Sequence, residues 1–149
     1  MIHYLTYGDI FNIEGVLNYA HGCNCAGAMG KGIAVLFKER YPEMYKEYKR
    51  RCKTGELTPG DIYVYNYGAG YVFNLGTQVS WTTGATLPAI ERSIGKMLAY
   101  ASAHGILKIA LPRIGAGLGR LDWDEVKAVI EKAAEAYPVV ALYIVENKL

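Results

Sequence analysis

A chain of 149 residues with 52% hydrophobic and 20% charged side chains has the size of one folded domain and can bury a core of its own. Its net charge of +2 is too small to define a nucleic-acid-binding surface, so extended nucleic-acid binding is not expected. No apolar run reaches the ~18 residues that a bilayer span needs, which excludes a membrane partner of that kind.

Taken in order, Ile2–Tyr7 is rich in strand formers and reads as a strand rather than a secretory leader, and Val16–His21 is a second short apolar strand. Three cysteines, an odd number, fit a reducing interior, and the expected location is cytoplasmic. After a glycine-rich stretch, Gly32–Arg40 reads as a helix that stops at Tyr41-Pro42. A second helix, Glu43–Lys53, ends at Thr54-Gly55 with cations near its carbonyl end. Its basic residues Lys46, Lys49, Arg50, Arg51 and Lys53 share the helix with Glu43 and Glu47, the pattern of a solvated face. Pro59-Gly60-Asp61 is a turn, and IYVYNYGAGYVFNL reads as a hairpin around Gly68-Ala69-Gly70.

Thr86-Leu87-Pro88 opens a helix that runs to about His104, with Gly105 as its stop. Lys108–Leu111 is a short buried strand, Pro112–Leu121 a glycine-rich loop, Asp122–Tyr137 an amphipathic helix and Val139–Val145 a hydrophobic strand. Strands that alternate with helices and carry near-continuous apolar runs predict a three-layer α/β/α domain over 1–149, with the sheet covered on both faces.

The chemistry is concentrated in HGCNCAGAMGKGIA, His21–Ala34. His21, Cys23 and Cys25 lack both the pair spacing and the fourth ligand of a structural zinc site, so no metal is expected. Small cysteines at a strand-to-loop corner are read as packing residues rather than nucleophiles. GAMGKGIA carries glycines where a strand turns into a helix, which frees backbone N–H groups and a helix N-terminus to meet an anion. PRIGAGLGRLDW repeats that design at Pro112–Trp123, so the two loops together are expected to clamp a diphosphate. Asp9, after the first strand, suits an exocyclic amine but also a simple turn or N-cap.

Together these motifs resemble the macro-domain family along nearly the whole chain: Gly8-Asp9-Ile10, the Asn24 loop through Gly30-Lys31-Gly32-Ile33-Ala34, and PRIGAGLGRLDW. The resemblance implies a mixed central sheet and ADP-ribose, or an ADP-ribosylated molecule, as ligand, with no cofactor. Carried over by position, Asp9 and the Ile10 backbone recognise adenine and Asn24 contacts the distal ribose. Gly30, Lys31, Gly32 and Ile33, with Ile114, Gly115, Ala116, Gly117, Leu118 and Gly119, hold the diphosphate.

MGKGIAVLFKERYP resembles the branch containing terminal ADP-ribose protein glycohydrolase and the antitoxin macro domains that remove ADP-ribose from DNA. Those enzymes use a lysine and an aspartate, where this chain has Gln78 and Gly119. HGCNC instead resembles the yeast-type ADP-ribose-1''-phosphate phosphatases, which makes His21 the candidate catalyst, with Asp122 and Asp124 as possible partners. The expected function is hydrolysis of an ADP-ribose derivative of the 1''-phosphate type. The alternatives are a non-catalytic ADP-ribose reader and a glycohydrolase with altered catalytic residues.

Overall fold

The computed structural model describes all residues 1–149. Six strands form one sheet: β1 (Ile2–Leu5), β2 (Tyr19–Asn24), β3 (Ile62–Asn66), β4 (Tyr71–Gln78), β5 (Lys108–Pro112) and β6 (Ala141–Val145). Their spatial order is β1-β6-β5-β2-β4-β3. Neighbours pair in parallel except β3, which runs antiparallel to β4 at the edge, so the sheet is mixed. The four helices are α1 (Ile33–Arg40), α2 (Pro42–Thr54), α3 (Leu87–Ala103) and α4 (Trp123–Ala134), and a 3-10 turn spans Ile10–Asn12.

Strand alternation divides the core between the two faces of the sheet. On one face Ala20, Phe73, Leu75, Ile109 and Leu111 pack with Ile90, Ile94, Met97 and Leu98 of α3 and with Val126 and Ile130 of α4. On the other face Tyr19, Cys23, Val72 and Ala110 pack with Phe37 of α1 and with Met44 and Tyr48 of α2. The expected three layers are therefore present. Boundaries moved most in β2, which begins at Tyr19 rather than Val16 and continues to Asn24, and in α4, which ends at Ala134.

The basic residues of α2 are largely ion-paired along the helix: Arg50 with Glu47 and Glu56, Arg51 with Glu47, and Lys46 with Glu43. No helix is long and apolar enough to cross a membrane.

Parallel pairing puts the C-terminal ends of β2, β4 and β5 side by side. A register shift between Cys23 and Asn24 pairs Asn24 with Gln78 at that edge. A bulge of this kind re-aims the side chains beside it, here at the point where the chain leaves the sheet.

Candidate functional site

The first loop, between β2 and α1, is organised by one side chain. Asn24 Oδ1 accepts from the N–H groups of Ala26 (3.0 Å) and Ala28 (3.2 Å), while its Nδ2 donates to the carbonyl of Ala28 (2.7 Å). Beneath it, the buried Tyr48 hydroxyl donates to the Asn24 carbonyl (2.7 Å) and lies 2.9 Å from Oδ1. Burial pushes the Tyr48 phenol well above its ordinary range, so it stays protonated and able to donate. At the far end, Gly32 adopts φ 64° and ψ −151°, a conformation that a Cβ disfavours, and α1 begins with no side-chain cap. Its first N–H groups stay available to an anion.

The second loop, between β5 and α4, is held by backbone alone. Leu121 N–H donates to the Gly115 carbonyl (2.9 Å), Ala85 N–H to the Gly119 carbonyl (2.9 Å) and Arg120 N–H to the Gly117 carbonyl (3.1 Å). A Cβ at Gly119 would sit 2.6 Å from the Gly115 oxygen, so this closely folded loop has no room there for any side chain. That contact accounts for glycine at position 119.

Between the loops lies a cleft of about 510 Å³. Gly30, Lys31, Gly32, Ile33 and Ala34 line one wall, and Ile114, Gly115, Gly117, Leu118 and Gly119 line the other. Its floor holds Asn24, Thr77 and Gln78, and Trp81 stands at its rim. Gln78 Nε2 donates to the carbonyls of Ser80 (2.8 Å) and Thr83 (2.9 Å), which fixes the amide and leaves Oε1 without a protein donor. Two anion-seeking loops thus face each other at the strand ends, above a floor of neutral amide and hydroxyl groups.

A family model of the macro domain matches residues 20–130. This chain is a macro domain. It is 36% identical over 144 residues to a DNA ADP-ribosyl glycohydrolase of Mycobacterium tuberculosis, a match covering 91% of this chain and 40% of that protein. The human ADP-ribose glycohydrolase OARD1 is 31% identical over 134 residues, covering 89% of this chain and 85% of the human one. Among solved structures, the macrodomain of M. tuberculosis DarG superposes with a TM-score of 0.90 at 33% identity, over 98% of this chain and 97% of that one. The macro domain described here therefore spans about two fifths of the mycobacterial relative's length.

Of the expected contact residues, Asn24, Gly30, Lys31, Gly32, Ile33, Ile114, Gly115, Gly117, Leu118 and Gly119 are brought together around the cleft, and Ala116 lies in the same loop without lining it. Asp9 and Ile10 do not line it either. Asp9 is exposed and caps the 3-10 turn, accepting from Phe11 N–H at 2.9 Å, while Ile10 is buried.

The expectation of a catalytic histidine is corrected. His21 is fully buried and points away from the cleft, because alternation along β2 sends Tyr19, His21 and Cys23 toward α1 and α2. Its ring stacks on Phe37 with centroids 4.0 Å apart, and its Nε2 bonds Asn74 Oδ1 at 2.7 Å. Burial outweighs that bond and lowers its pKa to about 4, so the imidazole is neutral at physiological pH, and it does not line the cleft. Cys23 also packs inward, its Sγ donating to the Leu75 carbonyl (3.3 Å), and burial pushes its thiol well up.

Sequence reasoning missed Thr77, Trp81 and Tyr48, and noticed Gln78 only as a missing lysine. The β2–β4 pairing that brings Thr77 and Gln78 beside Asn24 carries no sequence signal. Tyr48 looked like any aromatic residue on a helix face.

Proposed function

We propose that this macro domain binds ADP-ribose in the cleft and hydrolyses a bond to C1'' of the distal ribose. The observation that carries the reading is the convergence of two backbone-rich loops and an uncapped helix start on one cleft whose floor is made of side-chain amides. A diphosphate suits the loop N–H groups, and a ribose suits the neutral floor at Asn24 and Gln78. The names of the two relatives, both glycohydrolases of ADP-ribosyl compounds, support hydrolysis over any other chemistry.

In that reaction the oxygen of water bonds to C1'', the bond from C1'' to the leaving group breaks, and a water proton ends on the leaving group. Gln78 Oε1 holds the water by accepting one of its hydrogen bonds, and rate enhancement comes from positioning rather than from a side-chain base. The adenine end lies toward Asp9 and Ile10, on the β5 side of the sheet.

The test is single-turnover release of ADP-ribose from ADP-ribosylated DNA, ADP-ribosylated peptide and ADP-ribose-1''-phosphate by wild type and Gln78→Ala. We expect release by wild type and a loss of roughly tenfold or more in the variant, larger than its loss of ADP-ribose affinity. Equal release by both proteins would overturn the role of Gln78. A second reading, a non-catalytic ADP-ribose reader, is favoured by one observation: no carboxylate or imidazole lines the cleft. Binding without release from any of the three compounds would establish that reading instead.

A further inference from the structure

We infer that His21 and Asn74, neither of which lines the cleft, are positioning residues: their buried hydrogen bond locks the register of β2 on β4 and so brings Asn24 beside Gln78 on the floor of the site. The inference rests on the reading above that this floor recognises the distal ribose, and adds to it the pair that sets the floor's geometry.

The need for a lock is visible in the ladder. Between the pair and the floor, Gly22 is matched with Leu75 and Cys23 with Gly76, so each of these two rungs carries a glycine. Side chains that interdigitate across a rung normally fix register, and glycine-rich stretches leave it weakly specified. Immediately beyond, β4 spends one residue more than β2: Thr77 is passed over and Asn24 meets Gln78. The Thr77 hydroxyl donates to the Cys23 carbonyl (3.3 Å) within this irregularity. Without the irregularity Thr77, not Gln78, would stand opposite Asn24.

His21 and Asn74 form the last rung before these glycines. His21 Nε2 lies 2.7 Å from Asn74 Oδ1, and Asn74 Nδ2 donates to the Tyr63 carbonyl at 3.2 Å, so the polar chain runs from β2 across β4 to the edge strand β3. With Nδ2 committed to a carbonyl, Asn74 presents an acceptor, and the imidazole hydrogen therefore sits on Nε2. The other ring nitrogen, Nδ1, is buried without a partner. Both side chains are completely buried, and the His21 ring lies flat on Phe37. A half-satisfied imidazole in an apolar layer stabilises the fold less than a leucine would. What it supplies instead is direction: the bond forms only when His21 faces Asn74, whereas apolar contacts tolerate a shift.

The experiment compares wild type with His21→Leu, Asn74→Leu, the double variant His21→Leu/Asn74→Leu, and His21→Gln, whose side-chain amide keeps a donor for Asn74 Oδ1. Each protein is read for its urea midpoint, for the cross-strand nuclear Overhauser contacts between Asn24 and Gln78, and for the ratio of ADP-ribose to ADP affinity by titration calorimetry. Each single leucine leaves a buried polar group unpaired and should lower the midpoint, while the double variant, with both partners replaced, should recover much of it. Stability and geometry should then part: the double variant loses the Asn24–Gln78 contacts and prefers ADP-ribose severalfold less than wild type does. His21→Gln should keep both.

A double variant that recovers its midpoint with contacts and preference intact would make the pair structural only and overturn the inference. If the double variant does not fold, the contrast between His21→Leu and His21→Gln decides: contacts and preference lost in the first and kept in the second support the lock, and equal values in the two overturn it. Wild type that shows the Asn24–Gln78 contacts but no preference for ADP-ribose over ADP overturns the ribose reading instead, and the contacts alone then test the lock.

Discussion

The two loops that face each other across the cleft do similar work by opposite means. The β2–α1 loop is shaped by a side chain, with Asn24 serving two N–H groups and a carbonyl while Tyr48 supports it from the helix below. The β5–α4 loop is shaped by the lack of side chains, its turns closed by backbone bonds at separations that glycine at 115 and 119 permits. Each loop is therefore vulnerable in its own way. The first fails when a polar group is removed, and the second when atoms are added at Gly115 or Gly119.

Adding atoms to the second loop should have the larger effect. Gly119→Asp would add a carboxylate to the cleft, yet its Cβ meets the Gly115 carbonyl at 2.6 Å and the backbone must move. We expect a loss of about 1–3 kcal/mol in urea unfolding and weaker ADP-ribose binding, with no gain in turnover. A variant of native stability and raised turnover would show that the loop is not locked.

Removing Asn24 is next. Asn24→Ala leaves the N–H groups of Ala26 and Ala28 without their acceptor, which costs about 1–3 kcal/mol where water cannot replace it. Hydrogen exchange should quicken at Ala26 and Ala28 and stay unchanged at Leu121 and Arg120 in the opposite loop. Faster exchange in both loops would mean that they form one unit.

His21 separates stability from function on the strand that carries the first loop. Its folded pKa, about 4, lies below the ordinary imidazole value, so between about pH 6.5 and 4 the unfolded chain binds a proton that the native one does not. Stability therefore falls as pH falls through that window, by up to about 1.4 kcal/mol per pH unit from this group. In His21→Gln that component of the slope should vanish while ADP-ribose affinity at pH 7.5 is unchanged, because the side chain faces Phe37 rather than the cleft and glutamine keeps a donor for Asn74. An unchanged slope would place the proton elsewhere.

The smallest effect is expected from Tyr48→Phe, which keeps the buried ring and removes only its donor to Asn24. About 1 kcal/mol of stability should be lost. The preference for ADP-ribose over ADP should drop severalfold, because the Asn24 amide is less firmly held.

Much of the fold was legible because alternation, caps and breakers are local: the break between α1 and α2 at Tyr41-Pro42, Gly55 after α2 in a left-handed conformation (φ 79°), and Thr86 capping α3 all stand where the chain order predicted. The glycine loops were legible for the same reason. What could not be read was the orientation of side chains relative to the sheet. His21 and Asn24 are three residues apart in one strand, and one is sealed against Phe37 while the other reaches the cleft, a difference set by alternation and by the register shift at Cys23/Asn24. The reason for Gly119 was equally hidden, because it lies in a 2.6 Å approach to a backbone atom four residues earlier.

The floor at Asn24 and Gln78 is expected to recognise a second ribose. Isothermal titration of wild type and Asn24→Ala with ADP-ribose and with ADP tests it most directly. Wild type should bind ADP-ribose well above ADP, and Asn24→Ala should lose most of that difference. Equal affinity of wild type for the two ligands would contradict it.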